Sequence, residues 1–192
     1  ERFGVEFRVL DTAYEREVAR TRGRHVNPLK SYPWLVTSID WLKRPERQDM
    51  LHAAIAGKEP DEFPRPFDLL ILDEAHLAAP AGANIPVDSL RTRLIEWFGS
   101  YFEHRLFLTA TPHNGHRQSF WTLLSLLDRV RFPNRELEPT DADVQRAMVR
   151  RLKDHVKLVD PSAPFPVREI HALPVNPKKA EVDGYQLLDD YL

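Results

Sequence analysis

A chain of 192 residues, 42% apolar and 29% charged, has the size and balance of one globular domain with a real hydrophobic core. Its formal net charge of -2 excludes a uniformly basic nucleic-acid coat, so any phosphate contact must come from a local patch. The absence of cysteine excludes disulfides and thiolate metal sites, and no run reaches the roughly 18 apolar residues of a membrane span.

Taken in chain order, residues 5–10 (VEFRVL) read as a short strand, and Asp11-Thr12 as the start of a charged helix over 13–22. Residues 34–37 (WLVT) predict a second strand, with Ser38 capping a helix that runs through Leu42. Helix is expected again over 50–56, ended by Gly57, and the three prolines of 60–66 require a loop. Residues 68–73 (DLLILD) are apolar without alternation, the pattern of a strand covered on both faces in a parallel sheet. A small-residue loop over 78–86 leads to a helix over 87–104, with Leu90, Leu94, Trp97, Phe98 and Tyr101 on one side. Residues 105–109 (RLFLT) are the next buried strand, followed by helices over 120–127 and 141–153. A proline-rich linker at 160–166, a strand over 167–175 and a helix over 178–192 complete the chain.

Strands separated by helices predict an α/β fold with a mostly parallel sheet. The proline-rich stretch near 160 divides the expected organisation into 1–159 and 160–192. In such sheets ligands bind beyond the carboxyl ends of the strands. Asp73 and Glu74 stand at that end of DLLILD, where one carboxylate can hold magnesium on nucleotide phosphates and the next can orient a water. Two acids that simply stop a strand are the plainer reading, and for Asp-Glu alone it is the better one.

The longer string Asp73-Glu74-Ala75-His76 resembles motif II, the Walker B motif of DEAH type, of superfamily-two helicases. Thr109-Ala110-Thr111 at the end of the next strand resembles their motif III, and the two in this order are far more specific than either alone. The closest pattern is that of Swi/Snf-type double-stranded-DNA translocases. WLVTSIDW at 34–41 resembles their motif Ib region, Pro112-His113-Asn114-Gly115 extends motif III, and MVRRLK at 148–153 and FPVRE at 165–169 resemble later elements. The resemblance implies the first RecA-like lobe, a three-layer α/β/α sandwich of the P-loop NTPase type, here truncated at its N-terminus. Residues 1–159 would follow motif Ia, and 160–192 would close the lobe and lead to a second one.

By that resemblance Asp73 holds Mg2+ and Glu74 activates water, while His76, Thr109, Ala110 and Thr111 couple ATP hydrolysis to movement. Thr37, Ser38, Arg150, Arg151 and Lys153 are the expected DNA contacts. Implied partners are ATP, double-stranded DNA and the second RecA-like lobe, in the cytoplasm and away from membranes. Ala110 stands where chromatin remodellers carry glycine, and the loop after His76 lacks their basic residues, which points to a bacterial branch. Strings at 87–92 and 102–108 resemble the helicase subunit of DISARM-type phage-defence systems, whose other subunits would then be partners.

None of the seven glycines is followed by Lys-Thr or Lys-Ser, so no phosphate loop is present in this sequence. The chain begins Glu1-Arg2-Phe3-Gly4 and is expected to be a piece of a longer protein, inactive as an ATPase by itself, with a sheet edge open to pairing. A non-catalytic DNA- or protein-binding module derived from a helicase lobe is the alternative, and a strand-separating helicase is another. His113 and His116 lie on a loop after Pro112, where solvated or packing roles are expected rather than metal binding.

Overall fold

A computed structural model gives the structure and describes residues 4–79, 89–112, 116–133, 138–152, 162 and 169–173. The chain divides into two compact units, Glu1–Met148 and Val149–Leu192. All the secondary structure among the described residues lies in the first.

The first unit is mixed α/β, and its described strand pairings are all parallel. β1 (Arg8–Val9) pairs with β2 (Leu35–Val36), and between them runs α1 (Thr12–Thr21). The Asp11 carboxylate caps α1 by accepting the Tyr14 amide at 2.8 Å, as the Asp-Thr signal predicts. Ser38 likewise caps α2 (Ile39–Leu42), accepting the Asp40 amide at 3.2 Å. Pro45 interrupts the helical pattern with a single 3-10 turn, so the next helix, α3 (Gln48–Ala54), starts afresh.

The second sheet is β3 (Phe67–Leu72) paired with β4 (Phe102–Phe107), in a register that sets Phe67 opposite Phe102 and Leu72 opposite Phe107. Between them lies α4 (Leu90–Gly99), and β4 is followed by α5 (Arg117–Leu127) and α6 (Asp141–Ala147). The expected helix over 87–104 therefore stops at Gly99. Tyr101 and Phe102 are β-prone, and they turn into β4 three residues earlier than Arg105. Leu94, Phe98 and Tyr101 are buried as expected, whereas Leu90 is exposed. The core gathers Leu51, Ile55, Leu94, Phe98, Tyr101 and Phe102, with Phe67 stacked on Phe102 at 4.8 Å between ring centroids.

Two further expectations change. The reading of DLLILD as covered on both faces holds for one face only. Leu70 and Leu72 pack inward, while Leu69, Ile71, Leu106 and Leu108 remain 46%, 51%, 46% and 43% exposed. The helices that follow these strands pack on the same side of the two-stranded ladder, and no described element lies on the other. The helix expected over 141–153 ends at Ala147, where Met148 turns to φ -132°, ψ 135°. Continuing it would set Arg146 against Arg150 one turn apart, a like-charge pair that opposes helix.

In the second unit, residues 169–173 are not in a strand although 167–175 alternates. Ile170 and Leu173 are largely exposed there, and a strand needs a ladder that no described residue supplies. Of the loop expected over 78–86, residues 80–86 fall outside the described residues, as does the helix expected over 178–192.

Candidate functional site

Parallel pairing puts the carboxyl ends of β3 and β4 side by side, and two backbone bonds carry the ladder past the strands themselves. The Leu108 amide donates to the Leu72 carbonyl and the Ala75 amide donates to the Leu108 carbonyl, each at 2.9 Å. Asp73-Glu74 and Thr109-Ala110-Thr111 therefore leave the sheet at one point. Their junction is direct: His76 Nδ1 lies 3.1 Å from Thr109 Oγ1.

The local backbone explains how Asp73 and Glu74 are presented. Asp73 Oδ1 accepts the Glu74 amide at 2.9 Å, which leaves Oδ2 open to solvent. Glu74 adopts a left-handed conformation, φ 47° and ψ 46°. That conformation brings Cβ close to the following carbonyl and costs a non-glycine residue about 1–2 kcal/mol. The reversal starts a 3-10 turn, Ala75–Ala78, whose Ala75 and Ala78 are buried against Leu123 and Leu126 of α5 and Ile95 of α4. Small residues at those two positions let the turn sit directly on the helices, so the acids are held at the rim and pushed outward.

Hydrogen-bond chemistry orders the rest. Glu74 Oε2 lies 3.3 Å from the same His76 Nδ1. Thr109 Oγ1, beside that nitrogen, also accepts the Thr111 amide at 3.1 Å. One imidazole thus reads both a carboxylate on one strand end and a hydroxyl on the other. Asp73, Glu74, His76, Thr109 and Thr111 form one cluster, and Ala110 is an exposed residue between the two threonines.

The other sequence-predicted residues are placed elsewhere. The Thr37 hydroxyl donates to the Leu10 carbonyl at 2.8 Å and so fastens the end of β2 to that of β1. Ser38 serves as the α2 cap, and Ile39 behind it packs into the cluster containing Ala78, Ile95 and Leu126. Arg150 and Arg151 belong to the second unit and are exposed, while Lys153 and His113 lie outside the described residues. Among the described residues no group of three or more His, Asp or Glu side chains could hold a metal by itself. Asp73 fits magnesium in another way, as a single open carboxylate completed by water and phosphate oxygens.

Two supporting features carry no motif signal. The Thr92 hydroxyl, fully buried, donates to the Ala78 carbonyl at 2.7 Å and ties the turn after Glu74 to α4. Arg91 makes a two-point contact with Asp40, at 2.9 and 2.8 Å, fastening α4 to α2. With Lys43 also 2.7 Å from Asp40, this pairing holds the carboxyl well below the usual carboxylate range. A Ser-x-x-Thr start to α4 was the one available hint of the first, and a bidentate pair 51 residues apart offers no hint at all.

No protein-family model matches the chain. It is 32% identical over 135 residues to the RNA polymerase-associated protein RapA of Actinobacillus succinogenes, covering 68% of this chain and 12% of that protein. Over 108 residues it is 33% identical to the Pasteurella multocida protein of the same name, covering 56% of this chain and 10% of that one. The Pseudomonas aeruginosa RapA is 31% identical over 136 residues, 69% of this chain and 13% of the relative. The chain thus spans between 10% and 13% of the length of these curated relatives, and what it shares with them is this one segment.

Proposed function

We propose that this segment is part of the first RecA-like lobe of a Swi/Snf-type, ATP-driven DNA translocase. The observation that carries the reading is the His76–Thr109 contact between the carboxyl ends of two parallel strands. The partial matches to proteins named RapA support the same reading and add RNA polymerase as a partner for the parent protein.

In this assignment Asp73 holds Mg2+ through its open carboxylate oxygen. The ion supplies charge neutralisation at the terminal phosphates of ATP. Glu74, raised on its left-handed turn, accepts a proton from the attacking water, and His76 fixes the direction in which that carboxylate points. His76, Thr109 and Thr111 transmit the occupancy of the site to β4 and α5, because any shift of Glu74 moves the imidazole they share. Thr37 and Ser38, and Arg150 and Arg151 with Lys153, are the DNA-facing groups. The phosphate-binding loop and an arginine from a second lobe would come from the rest of the parent protein, so the 192 residues alone should not turn over ATP.

The test uses a chain in which this segment is joined to a phosphate loop and a second lobe. Duplex-stimulated ATP hydrolysis should fall about 10²–10⁴-fold in Glu74→Gln, the range of a lost general base, with nucleotide affinity kept. His76→Ala and Thr109→Ala should lower translocation per ATP more than they lower hydrolysis. Full hydrolysis in Glu74→Gln would sink the assignment. Unaltered DNA affinity with no turnover in the wild-type parent would favour a non-catalytic binding module instead.

A further inference from the structure

We propose a second nucleic-acid contact, remote from the strand ends: an arginine-lined cleft between α1 and α3 that takes a phosphodiester backbone. It rests on the motor reading only for the class of polymer, and it uses none of the residues assigned there.

The cleft has a volume of about 770 Å3. One wall is α1 with Arg16 and Arg20, the next is the turn carrying Arg24 and His25, and the third is α3 with Asp49 and Met50. Six titratable groups face it, and their pairing is unequal. The Glu15 carboxylate is taken by Arg47, whose Nη1 lies 2.9 Å from each of its oxygens. Among the described residues, Arg16, Arg20 and Arg24 have neither a carboxylate nor a hydrogen-bond partner. Asp49, exposed on the far wall, is the one remaining anion.

Three unpaired guanidiniums on one side of a cleft work against folding. Arg16 and Arg20 stand one helical turn apart, where like charges repel. The negative C-terminal end of the helix accounts for Arg20, in the last turn, but its influence fades within that turn and does not reach Arg16. In a chain of net charge -2, leaving these three unneutralised while Glu15 is given to Arg47 is the pattern of a site waiting for an external anion.

The rim is also built rather than slack. Gly23 has φ +102°, a backbone conformation that strains L side chains, so glycine suits the turn that brings Arg24 and His25 to the edge. Asn27 locks that turn to both neighbours: its side-chain Oδ1 accepts the Leu29 amide at 2.9 Å and its Nδ2 donates to the Met50 carbonyl at 2.8 Å. The Arg22 guanidinium donates to the Ser31 carbonyl at 2.8 Å and fixes the exit of the loop. Ala19, Val26, Pro28 and Ala53 supply an apolar floor under the charges.

All three free cations are arginine, whose planar fork matches phosphate with two donors at once. Arg16 and Arg20 are separated by about 6 Å along the helix, four residues at 1.5 Å each. Two forks one helical turn apart, with a third on the adjoining turn, suit a polymer with one charge per repeat, and duplex and single strand share that chemistry.

The experiment measures binding of the 192-residue chain to a labelled 20-mer, duplex and single-stranded, between 50 and about 200 mM salt. Each phosphate contact contributes a slope of about 0.9 on duplex and about 0.7 on a single strand in log affinity against log salt. R16Q/R20Q/R24Q should therefore flatten the slope by about 2.7 if the duplex is the ligand, or about 2.1 if the strand is. These side chains are exposed, and thermal melting of the variant checks that the fold is kept. R16Q alone, with an expected loss of about 0.9 or about 0.7, serves if it is not. The proposal is overturned by an unchanged slope, by no binding of either polymer at 50 mM salt, or by equally tight, arginine-dependent binding of poly-glutamate. Binding lost in T37A/S38A but kept in the arginine variant would remove this cleft and leave the motor reading standing.

Discussion

Arg105 is where the stability of the strand-end site can be tested most sharply. It lies in β4 with its side chain only 10% exposed, and burial pulls its guanidinium pKa downward, though not to where arginine loses its charge. Its Nε donates to the Gly99 carbonyl at 2.8 Å, and its Nη1 to those of Leu126 at 3.1 Å and Leu127 at 3.4 Å. Gly99 ends α4, and Leu126 and Leu127 end α5, so one cation caps the carboxyl ends of two helices at once. The two shorter bonds are charge-assisted and contribute roughly 1.5–3 kcal/mol each. Releasing a largely buried ion to water returns part of that roughly 3–6 kcal/mol, which leaves Arg105→Met destabilised by about 3 kcal/mol. Arg105→Lys keeps a point charge that reaches one helix end but not both, and should lose about half as much. Urea unfolding followed by tryptophan fluorescence measures this as a lower midpoint at unchanged slope, and melting should drop by roughly 6–12 °C for Met. A Met variant as stable as wild type would mean that desolvation outweighs the caps, and the reasoning would be wrong.

The left-handed Glu74 gives a comparison of two variants. Gln keeps the strained backbone and glycine releases it, regaining about 1–2 kcal/mol while adding roughly 0.5–1 kcal/mol of unfolded-state freedom. Glu74→Gly should thus melt no lower than Glu74→Gln, and a clearly lower melting point would show the turn to be unstrained. For the Arg91–Asp40 clamp the sign follows from a folded pKa held below the unfolded value of about 3.9. Its contribution is complete above that value and fades as pH falls through it toward the folded one. The stability gap between wild type and Asp40→Asn should therefore be constant near neutral pH and close in acid. A gap that widened below pH of about 4 would contradict the linkage.

Some of this was legible because local rules decide it. Asp11 and Ser38 carry cap chemistry in their own side chains, and the helices begin where those residues stand. The strand ends were legible too, since a continuous apolar run closed by carboxylates has few other places to go. What failed was set by distant partners. Trp97, Phe98, Tyr101 and Phe102 keep helical spacing throughout, so the periodicity does not mark the switch to strand after Gly99, and the β-propensity of Tyr101 and Phe102 is a weak signal against that spacing. That switch depends on pairing with Phe67, which lies 35 residues upstream of Phe102. Arg105 reads in sequence as the first residue of a buried strand, and its role appears only when two helix ends are brought to it. The cleft on α1 is a similar case: two arginines in a charged helix and a third on the turn after it look solvated until the Asn27 lock sets α3 opposite them.

The half-covered second sheet bears on how the site works. Register in a parallel ladder is fixed by backbone bonds and by the inward face, so Leu70, Leu72 and Phe107 suffice to bring Asp73-Glu74 out beside Leu108-Thr109. The outward row of Leu69, Ile71, Leu106 and Leu108 adds nothing to that alignment, yet it is as apolar as the inward one. Polar residues there would cost the described fold little and would keep it from associating. Apolar residues make sense where a further layer covers them, as the proposed three-layer lobe requires. On that view the geometry joining His76 to Thr109 is intrinsic to these residues, whereas its rigidity under load depends on the covering layer. Joining the segment to the rest of its parent should then raise the protection of β3 and β4 amides from exchange while leaving the contact between the two strand ends unchanged.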